Sequence, residues 1–247
     1  MLSLEGVGHA FLGRRVLEGI NLSVGRGEVL ALVGPSGCGK STLAHIAAGL
    51  SEPREGRVLS RYARHSMVFQ EPALLPWYTA GANIGFALRL AGFPKHARAE
   101  RLAKAARQVA LSEDDLVKYP AELSGGMRQR TAIARALAAE PDFIFFDEPF
   151  TALDVALRRR MQDIVIQTCA DGQLSGLFIT HDLTEATRLA HRIAVLDTSG
   201  RGILGIRTVP GRPGGRGDKA VYNWVQDALH DDRIFRDIHE VDERQIT

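Results

Sequence analysis

The stretch GPSGCGKST (residues 34–42) constrains the fold of this chain more than any other. It matches the pattern G-x-x-x-x-G-K-[ST], follows the apolar run VLALVG (29–34) and precedes the helical pattern KSTLAHIAAGL (40–50). Glycines let the backbone curl so that successive N–H groups face an anion, and the start of the following helix adds positive potential. The sequence therefore predicts a phosphate-binding loop between a buried strand and a helix.

Short apolar runs bounded by turn residues recur along the chain and are typical of strands buried on both faces. The further runs are MVFQ (67–70), FIFF (143–146), LFIT (177–180) and IAVLD (193–197). Helical patterns lie between most of them, and this alternation predicts an α/β fold with a mainly parallel sheet. Functional residues are therefore expected at the carboxyl ends of strands.

The middle of the chain differs in texture. No convincing strand is visible in residues 71–140, and HARAERLAKAARQVAL (96–111) has helical periodicity. We therefore expect residues 1–71 and 141–206 to form the α/β core, with residues 72–140 inserted as a helical subdomain.

The last forty residues begin with a linker pattern. RTVPGRPGGRGD (207–218) combines prolines with glycines, which predicts a loop, and its RGD triplet is interpreted as chance rather than as an adhesion motif. Residues 207–247 are expected to be a linker and a C-terminal helical extension. That helix is expected to pack on the body of the protein or to dock to a partner through one apolar face, formed by Val221, Trp224, Val225, Ala228 and Leu229.

Composition excludes several classes of protein. With 31 basic and 29 acidic residues among 247, the net charge of +2 provides no strong field for nucleic acid or an anionic membrane. Cys38 and Cys169 lack metal-ligand or disulfide spacing, which suits a reducing compartment. The N-terminus lacks a secretory signal pattern, and the apolar stretch 73–93 is interrupted by polar residues and a proline. We expect any link to a membrane to come through a partner.

The phosphate loop assigns chemistry to particular side chains. Lys40 is expected to meet the β- and γ-phosphates of a nucleotide, and Ser41 to hold Mg²⁺ through its hydroxyl. FIFFDEP supplies the acidic strand end that such a site needs, because Asp147 can reach the metal and Glu148 can orient or deprotonate water. Cys38 is interpreted as a loop filler whose backbone matters, within possible reach of an alkylating reagent.

A second helix start has the chemistry of an anion site. LSGGMRQR (123–130) opens a helix that Ser124 can cap, while Gly125 and Gly126 allow a ligand to approach the backbone closely. A bare S-G-G favours an ordinary capped helix. If the segment instead binds a phosphate, the chain carries a second phosphate site in addition to residues 34–42.

Together these motifs resemble the ATP-binding subunits of ABC transporters over roughly residues 1–200. VFQEP with Gln70 is similar to the glutamine loop, LSGGMRQR to the signature, TALD with Asp154 to the dimer loop, and ITHD with His181 to the switch histidine. Phe11 matches the aromatic position that stacks on adenine. The resemblance implies a phosphate-loop, RecA-like ATPase core with an N-terminal antiparallel β subdomain and an inserted helical subdomain.

The resemblance also implies how the parts act. Two copies, identical or paralogous, join head to tail, so that each signature contacts the γ-phosphate held by the other copy. The implied catalytic residues are Glu148 as general base, His181 at the γ-phosphate, Gln70 as sensor of Mg²⁺ and water, and Lys40. The implied metal ligands are Ser41, Gln70 and Asp147. ATP would be held by Phe11, Gly34, Pro35, Ser36, Gly37, Cys38, Gly39, Lys40, Ser41, Thr42, Gln70, Ser124, Gly125, Gly126 and Asp154.

LLPW (74–77), after the glutamine loop, resembles the nitrate, sulfonate and taurine branch of the importers. The resemblance implies a peripheral subunit on the cytoplasmic face of the inner membrane, served indirectly by a periplasmic or lipoprotein solute-binding protein. It would act with an integral-membrane permease, whose short helix enters a groove. Leu74, Leu75, Trp77 and Tyr78 would suit that groove if exposed; packing inside the helical subdomain is the alternative.

Other functions fit the sequence less well. A soluble ABC-type ATPase in iron–sulfur cluster assembly has a similar length, although LLPW argues against it, and repair or translation ATPases need a coiled coil or two cassettes. A module that has lost hydrolysis is disfavoured because Lys40, Asp147, Glu148 and His181 are all present. A phosphate-loop kinase gives no reason for the signature and switch motifs.

Overall fold

The computed structural model describes residues 1–170 and 174–236 and has the α/β fold that the sequence predicts. The chain divides into two compact units. Of the described residues, 1–62, 166–170 and 174–236 make up the flanking unit, and 63–165 make up the central unit.

The elements are numbered in chain order. The strands are β1 (Leu2–Phe11), β2 (Arg14–Val24), β3 (Val29–Val33), β4 (Glu55–Ser60), β5 (His65–Val68), β6 (Phe143–Asp147), β7 (Ser175–Ile179), β8 (Arg192–Leu196) and β9 (Ile203–Thr208). The helices are α1 (Lys40–Ala47), α2 (Ala80–Leu90), α3 (Lys95–Gln108), α4 (Glu113–Leu116), α5 (Gly125–Ala138), α6 (Val155–Ala170), α7 (Leu183–Leu189) and α8 (Asp218–Asp231). A 3-10 turn covers Pro120–Glu122.

The flanking unit contains a three-stranded antiparallel sheet in the order β2, β1, β4, which confirms the antiparallel N-terminal part of the predicted fold. Phe11 pairs with Arg14, so β1 and β2 are joined by the two residues Leu12 and Gly13. Both have positive φ, 48° and 82°, as a type I′ hairpin turn requires. Leu12 is fully exposed at the tip of this hairpin.

The flanking unit also contains the strands in the order β7, β3, β8, β9. The first three are parallel and β9 is antiparallel to β8. Every residue of β3 and β7 is buried, which explains why these strands read as continuous apolar runs rather than as alternating patterns. Helix α8 packs against α7 with Val221, Val225 and Ala228 buried, as expected for a face packed on the body of the protein.

The central unit pairs β5 with β6 in parallel, and α5 packs against β5. Helices α2 to α5 occupy the stretch in which no strand is predicted, and α3 matches the helical periodicity of residues 96–111. Thr79 caps α2 by accepting a hydrogen bond from the Ala82 N–H at 3.2 Å. Of α6, residues 155–165 belong to this unit.

Two sequence expectations need adjustment. The loop predicted for 207–218 is wrong at both ends. Arg207 and Thr208 extend β9 and pair with Ile193 and Arg192, and Asp218 is the first residue of α8. Residues 237–247 of the predicted extension lie outside the described residues. Among the helices that are described, none combines the length and the apolar character needed to cross a membrane.

Candidate functional site

The predicted phosphate loop lies where the sequence places it, between β3 and α1 of the flanking unit. Gly39 precedes α1 with a φ of 103°, and a Cβ there would lie 2.9 Å from Leu17 Cδ2 and 3.1 Å from Val16 Cγ1. Only glycine fits this conformation and this close approach without strain. Because Gly39 has no side chain, it supplies no capping oxygen to the N–H groups at the start of α1.

Lys40 points back into its own loop. Its Nζ donates to the Gly34 carbonyl at 2.6 Å and to the Pro35 carbonyl at 2.9 Å. The side chain is buried, and a buried ammonium is tolerated only when it has polar partners. The two carbonyls therefore hold the cation at the loop that the sequence assigns to phosphates.

Cys38 is less accessible than the sequence suggests. The residue is buried in the loop, and burial raises the pKa of its thiol, opposed in part by the positive charge of Lys40. A thiol reacts through its thiolate, so both burial and the raised pKa slow alkylation. The backbone N–H of Cys38 donates to the Pro35 carbonyl at 3.3 Å, which agrees with a role in shaping the loop.

Phe11 ends β1 with about half of its surface exposed, 53%. The His9 ring lies edge-on to it, with centroids 4.7 Å apart and an interplanar angle of 73°. This edge-to-face contact restrains the Phe11 ring from one side. The exposed part of the ring is what stacking on a flat base needs.

His181 follows β7 by two residues, beside the strand that leads into the phosphate loop. Leu32 of β3 pairs with Ile179 of β7 in parallel, so both strands end at the same edge of the sheet. His181 is exposed at this edge. The flanking unit thus brings together the carboxyl ends from which the phosphate loop and His181 start, as a parallel sheet predicts.

The residues around His181 are tightly bonded to α7. Asp182 caps this helix by accepting from the N–H groups of Thr184 at 2.7 Å and Glu185 at 3.2 Å. Thr180 Oγ1 donates to Glu185 Oε2 at 2.9 Å and accepts from the Asp182 N–H at 3.0 Å. The backbone on both sides of His181 is therefore anchored to the first turn of α7.

The central unit holds the acidic strand end. Val68 of β5 pairs with Phe146 of β6, so Gln70 and the Asp147–Glu148 pair follow neighbouring parallel strands. Asp147 is buried, Glu148 is half-buried and Gln70 is exposed. Glu148 has a φ of 45°, a left-handed conformation that costs a non-glycine residue roughly 1–3 kcal/mol and clusters at functional sites.

The signature opens α5 as the sequence predicts. Ser124 Oγ accepts from the Met127 N–H at 3.2 Å, which confirms the predicted cap and leaves the hydroxyl hydrogen as a donor. Gly126 lies beside the dimer loop, because a Cβ there would be 3.5 Å from the Ala152 carbonyl oxygen. Asp154 itself caps the next helix, with Oδ1 accepting from the Leu157 N–H at 2.9 Å.

Two residues that the sequence did not single out hold the glutamine loop. Arg135 of α5 donates to the carbonyls of Ala73 at 2.8 Å and Pro72 at 3.1 Å. Gln129 of the same helix is buried and its Nε2 lies 3.4 Å from the Phe69 carbonyl. The backbone on both sides of Gln70 is thus bonded to the signature helix. Carbonyl acceptors carry no sequence signal, so nothing in the residue pattern could reveal these links.

Asn83 organises the LLPW segment in a similar way. Its amide is fully buried, accepts from the Leu75 N–H at 2.9 Å and donates to the carbonyls of Leu75, Tyr78 and Thr79 at 3.0–3.2 Å. Trp77 is 68% exposed in this fixed loop, whereas Leu74, Leu75 and Tyr78 are only half-buried. The fixed loop therefore presents a large aromatic side chain to solvent.

The donor set suits a magnesium ion supported by phosphates. Within residues 1–170 and 174–236, no cluster of three or more His, Cys, Asp or Glu side chains could hold a metal by itself. Mg²⁺ in nucleotide sites is usually held by one or two protein oxygens together with phosphate oxygens and water. Ser41 supplies a hydroxyl oxygen in the flanking unit and Asp147 a carboxylate in the central unit, and each is an oxygen ligand of the kind that Mg²⁺ prefers.

Comparison with known proteins identifies relatives across most of the chain. Residues 17–151, more than half of the chain, match the family described as ABC transporter. The taurine import ATP-binding protein TauB of Chromobacterium violaceum is 41% identical over 212 residues, which are 83% of this chain and 81% of the relative. The aliphatic sulfonates import ATP-binding protein SsuB 1 of Nocardia farcinica is 39% identical over 229 residues, covering 92% and 90%.

Solved structures agree with these sequence relatives. A dimeric ATP-binding cassette in a post-hydrolysis state, bound to ADP and Pi, superposes with a TM-score of 0.78 at 28% identity, covering 85% of this chain and 100% of that chain. A dimeric bacterial ABC transporter cassette gives a TM-score of 0.77 at 29% identity with the same coverage.

Proposed function

This chain belongs to the ABC transporter family and is accordingly an ATPase, and we propose that it energises an importer of a small sulfonate-, taurine- or nitrate-like solute. The observation that carries the proposal is the similarity, at about 40% identity over most of the chain, to import ATP-binding proteins for taurine and aliphatic sulfonates. The presence of Lys40, Asp147, Glu148 and His181 supports hydrolysis rather than a role in binding alone.

Binding starts at the phosphate loop. Lys40 exchanges the carbonyls of Gly34 and Pro35 for phosphate oxygens, so the ammonium keeps polar partners throughout. The N–H groups at the start of α1 add donors for the same phosphates. Phe11 stacks its exposed ring on adenine, since a ring face suffices for that contact.

Hydrolysis needs an oriented water and a stabilised γ-phosphate. Glu148 is proposed as the general base, with Gln70 orienting the water and His181 donating to the γ-phosphate. Ser41, Asp147 and Gln70 would hold Mg²⁺, which neutralises charge on the phosphates when it is bound.

We further propose that two copies close around the nucleotide. In this arrangement the hydroxyl of Ser124 and the backbone of Gly125 and Gly126 face the γ-phosphate bound to the other copy, and Asp154 organises the contact. The dimeric state of the two structural neighbours supports this proposal. Closing on ATP and reopening after hydrolysis then drive the permease.

The permease contact is proposed at the LLPW loop within a helical subdomain of residues 72–140. Trp77 is exposed and lies in a loop that Asn83 fixes, which supports a contact surface that already has its shape before the permease binds. The ATPase would thereby work at the cytoplasmic face of the membrane. Iron–sulfur cluster assembly remains the second candidate function, and no observation on this chain favours it over import.

The test combines turnover with uptake. The chain is co-expressed with a permease and a solute-binding protein of the taurine or sulfonate import type, and uptake of labelled taurine into right-side-out vesicles loaded with ATP is measured together with ATP hydrolysis. We expect ATP-dependent uptake, loss of both activities in Glu148→Gln, and an ATP-stabilised dimer of that variant on a sizing column.

Glu113→Gln serves as the matched control, because Glu113 is an exposed carboxylate on α4. It should retain both activities. Full ATPase activity in Glu148→Gln would show that Glu148 is not the general base. An active ATPase that neither binds the permease nor supports uptake, but copurifies with iron–sulfur assembly proteins, would favour the second function.

A further inference from the structure

We infer that Arg216 is a positioning residue for hydrolysis: with the segment that follows β9, it fixes the C-terminal end of α7 and thereby the orientation of His181. The inference rests on the proposed function, in which His181 contacts the γ-phosphate. It assigns a function to the loop between β9 and α8, which contains none of the motifs of the nucleotide site.

Arg216 lies at the centre of a set of backbone carbonyls. Nε donates to Pro210 at 2.8 Å, Nη1 to Thr187 at 2.6 Å and Ala190 at 2.8 Å, and Nη2 to Val209 at 3.0 Å and Gly211 at 2.8 Å. A guanidinium has five N–H donors, so all of them are used. Burial lowers the pKa of Arg216 below its usual range.

Two of these carbonyls belong to the end of α7. The last carbonyls of a helix have no partner within the helix and carry the negative end of its dipole. In α7 the Ala186 carbonyl accepts from the Ala190 N–H at 2.9 Å, whereas the Thr187 carbonyl accepts from Arg216. A cation at this position gives the Thr187 carbonyl a hydrogen-bond donor and interacts favourably with the negative end of the helix dipole.

Other contacts join the same segment to α7. Arg188 of α7 pairs with Asp218, the first residue of α8, at 3.3 Å. Helix α8 buries its apolar face and packs on α7. The RGD triplet of residues 216–218 is therefore used inside the fold, because its arginine binds carbonyls and its aspartate starts α8.

Helix α7 transmits this restraint to His181. It has only seven residues, and a helix that short has little stability of its own. At its first turn, Asp182 and Thr180 bond to Glu185, and His181 lies between them. Releasing the far end of α7 would therefore let the histidine backbone tilt with the helix.

The experiment compares Arg216→Ala and Arg216→Lys in the full chain. Because His181 acts in the transition state, we expect Arg216→Ala to lower kcat roughly tenfold with little change in the KM for ATP. Lysine has three donors and should restore part of kcat by reaching the α7 carbonyls. Arg212→Ala, at an exposed position in the same loop, is the control and should behave like the parent.

Histidine NMR gives a readout that does not depend on turnover. The His181 ring signal is assigned by its loss in His181→Ala, and it should shift in Arg216→Ala but not in Arg212→Ala, while the His96 signal stays in place. If Arg216→Ala does not fold, Arg216→Lys and Asp218→Asn provide the same comparison. Folded variants with an unchanged His181 signal and unchanged kcat would overturn the inference.

The two proposals fail separately. If His181→Ala retains full ATPase activity, the proposed role of His181 is wrong, whatever Arg216 does. If His181→Ala is inactive but the Arg216 variants leave the His181 signal and kcat untouched, only the positioning role of Arg216 is wrong.

Discussion

Replacing Arg135 should destabilise the chain and slow hydrolysis together. The guanidinium donates to the carbonyls of Ala73 at 2.8 Å and Pro72 at 3.1 Å, three and two residues after Gln70. Hydrogen bonds to charged groups contribute roughly 1.5–3 kcal/mol each, so the pair contributes about 3 kcal/mol. Burial of the Arg135 guanidinium costs desolvation energy, as its lowered pKa indicates, and Arg135→Ala removes this cost. The net loss of stability should therefore be about 2 kcal/mol.

This loss can be measured by thermal unfolding. For a chain of this size, 1 kcal/mol corresponds to about 2–4 °C in Tm, so Arg135→Ala should lower Tm by roughly 4–8 °C at fixed protein concentration and scan rate. Ala73 has a left-handed φ of 44°, and once its carbonyl loses Arg135 the strained backbone can relax. Relaxation should displace Gln70 and reduce kcat.

Two controls make the result decisive. Lys104→Ala removes an exposed cation from α3 of the same unit and should leave Tm and kcat near the parent values. Arg135→Lys keeps the charge but not the two-pronged geometry, so its effect should be intermediate. If Arg135→Ala shifted Tm by no more than Lys104→Ala and hydrolysed ATP normally, the hydrogen bonds between the signature helix and the glutamine loop would contribute neither to stability nor to hydrolysis.

Two further predictions concern titratable groups. The thiols of Cys38 and Cys169 are both buried, and burial raises the pKa of each, to about 12 for Cys169. A thiol reagent at neutral pH should therefore label neither cysteine in the native protein and both in denaturant. Rapid labelling of one cysteine in the native protein would contradict this prediction. The hydrogen bond from Lys118 lowers the pKa of Asp115 from 3.8 to about 2, so its stabilising effect is present above pH 4 and is lost as the pH falls from 4 to 2. The gap in urea midpoint between the parent and Asp115→Asn should therefore narrow from pH 5 to pH 2.5, and an unchanged gap would refute the assignment.

The part of the fold that the sequence predicts is the part with regular burial. The β3, β6, β7 and β8 strands are buried on nearly every residue, so their apolar runs are continuous. The pairing of β1 with β2 shifts register between Leu4 and Ala10, and this breaks the two-residue alternation that would have revealed β1. Its place in an antiparallel sheet came only from the family resemblance.

The site divides in the same way. Lys40 and Ser124 belong to motifs in which the spacing itself expresses the chemistry, so the sequence identifies them. Arg135, Asn83 and Arg216 bind backbone groups, which every residue offers. The Ala73 carbonyl that accepts from Arg135 is 62 residues away in the chain, and the Thr187 carbonyl that accepts from Arg216 is 29 residues away. A Pro- and Gly-rich stretch such as 207–218 predicts a loop, but it does not predict which charged side chain the loop will enclose.

The resting contacts of Lys40 have a consequence between turnovers. In the proposed mechanism, the Lys40 ammonium can bind the carbonyls of Gly34 and Pro35 again after it releases a phosphate, so it keeps polar partners in a buried position. The loop carbonyls and the phosphate oxygens would then compete for the Lys40 ammonium. A variant that weakens the hydrogen bonds to the carbonyls should bind nucleotide more tightly.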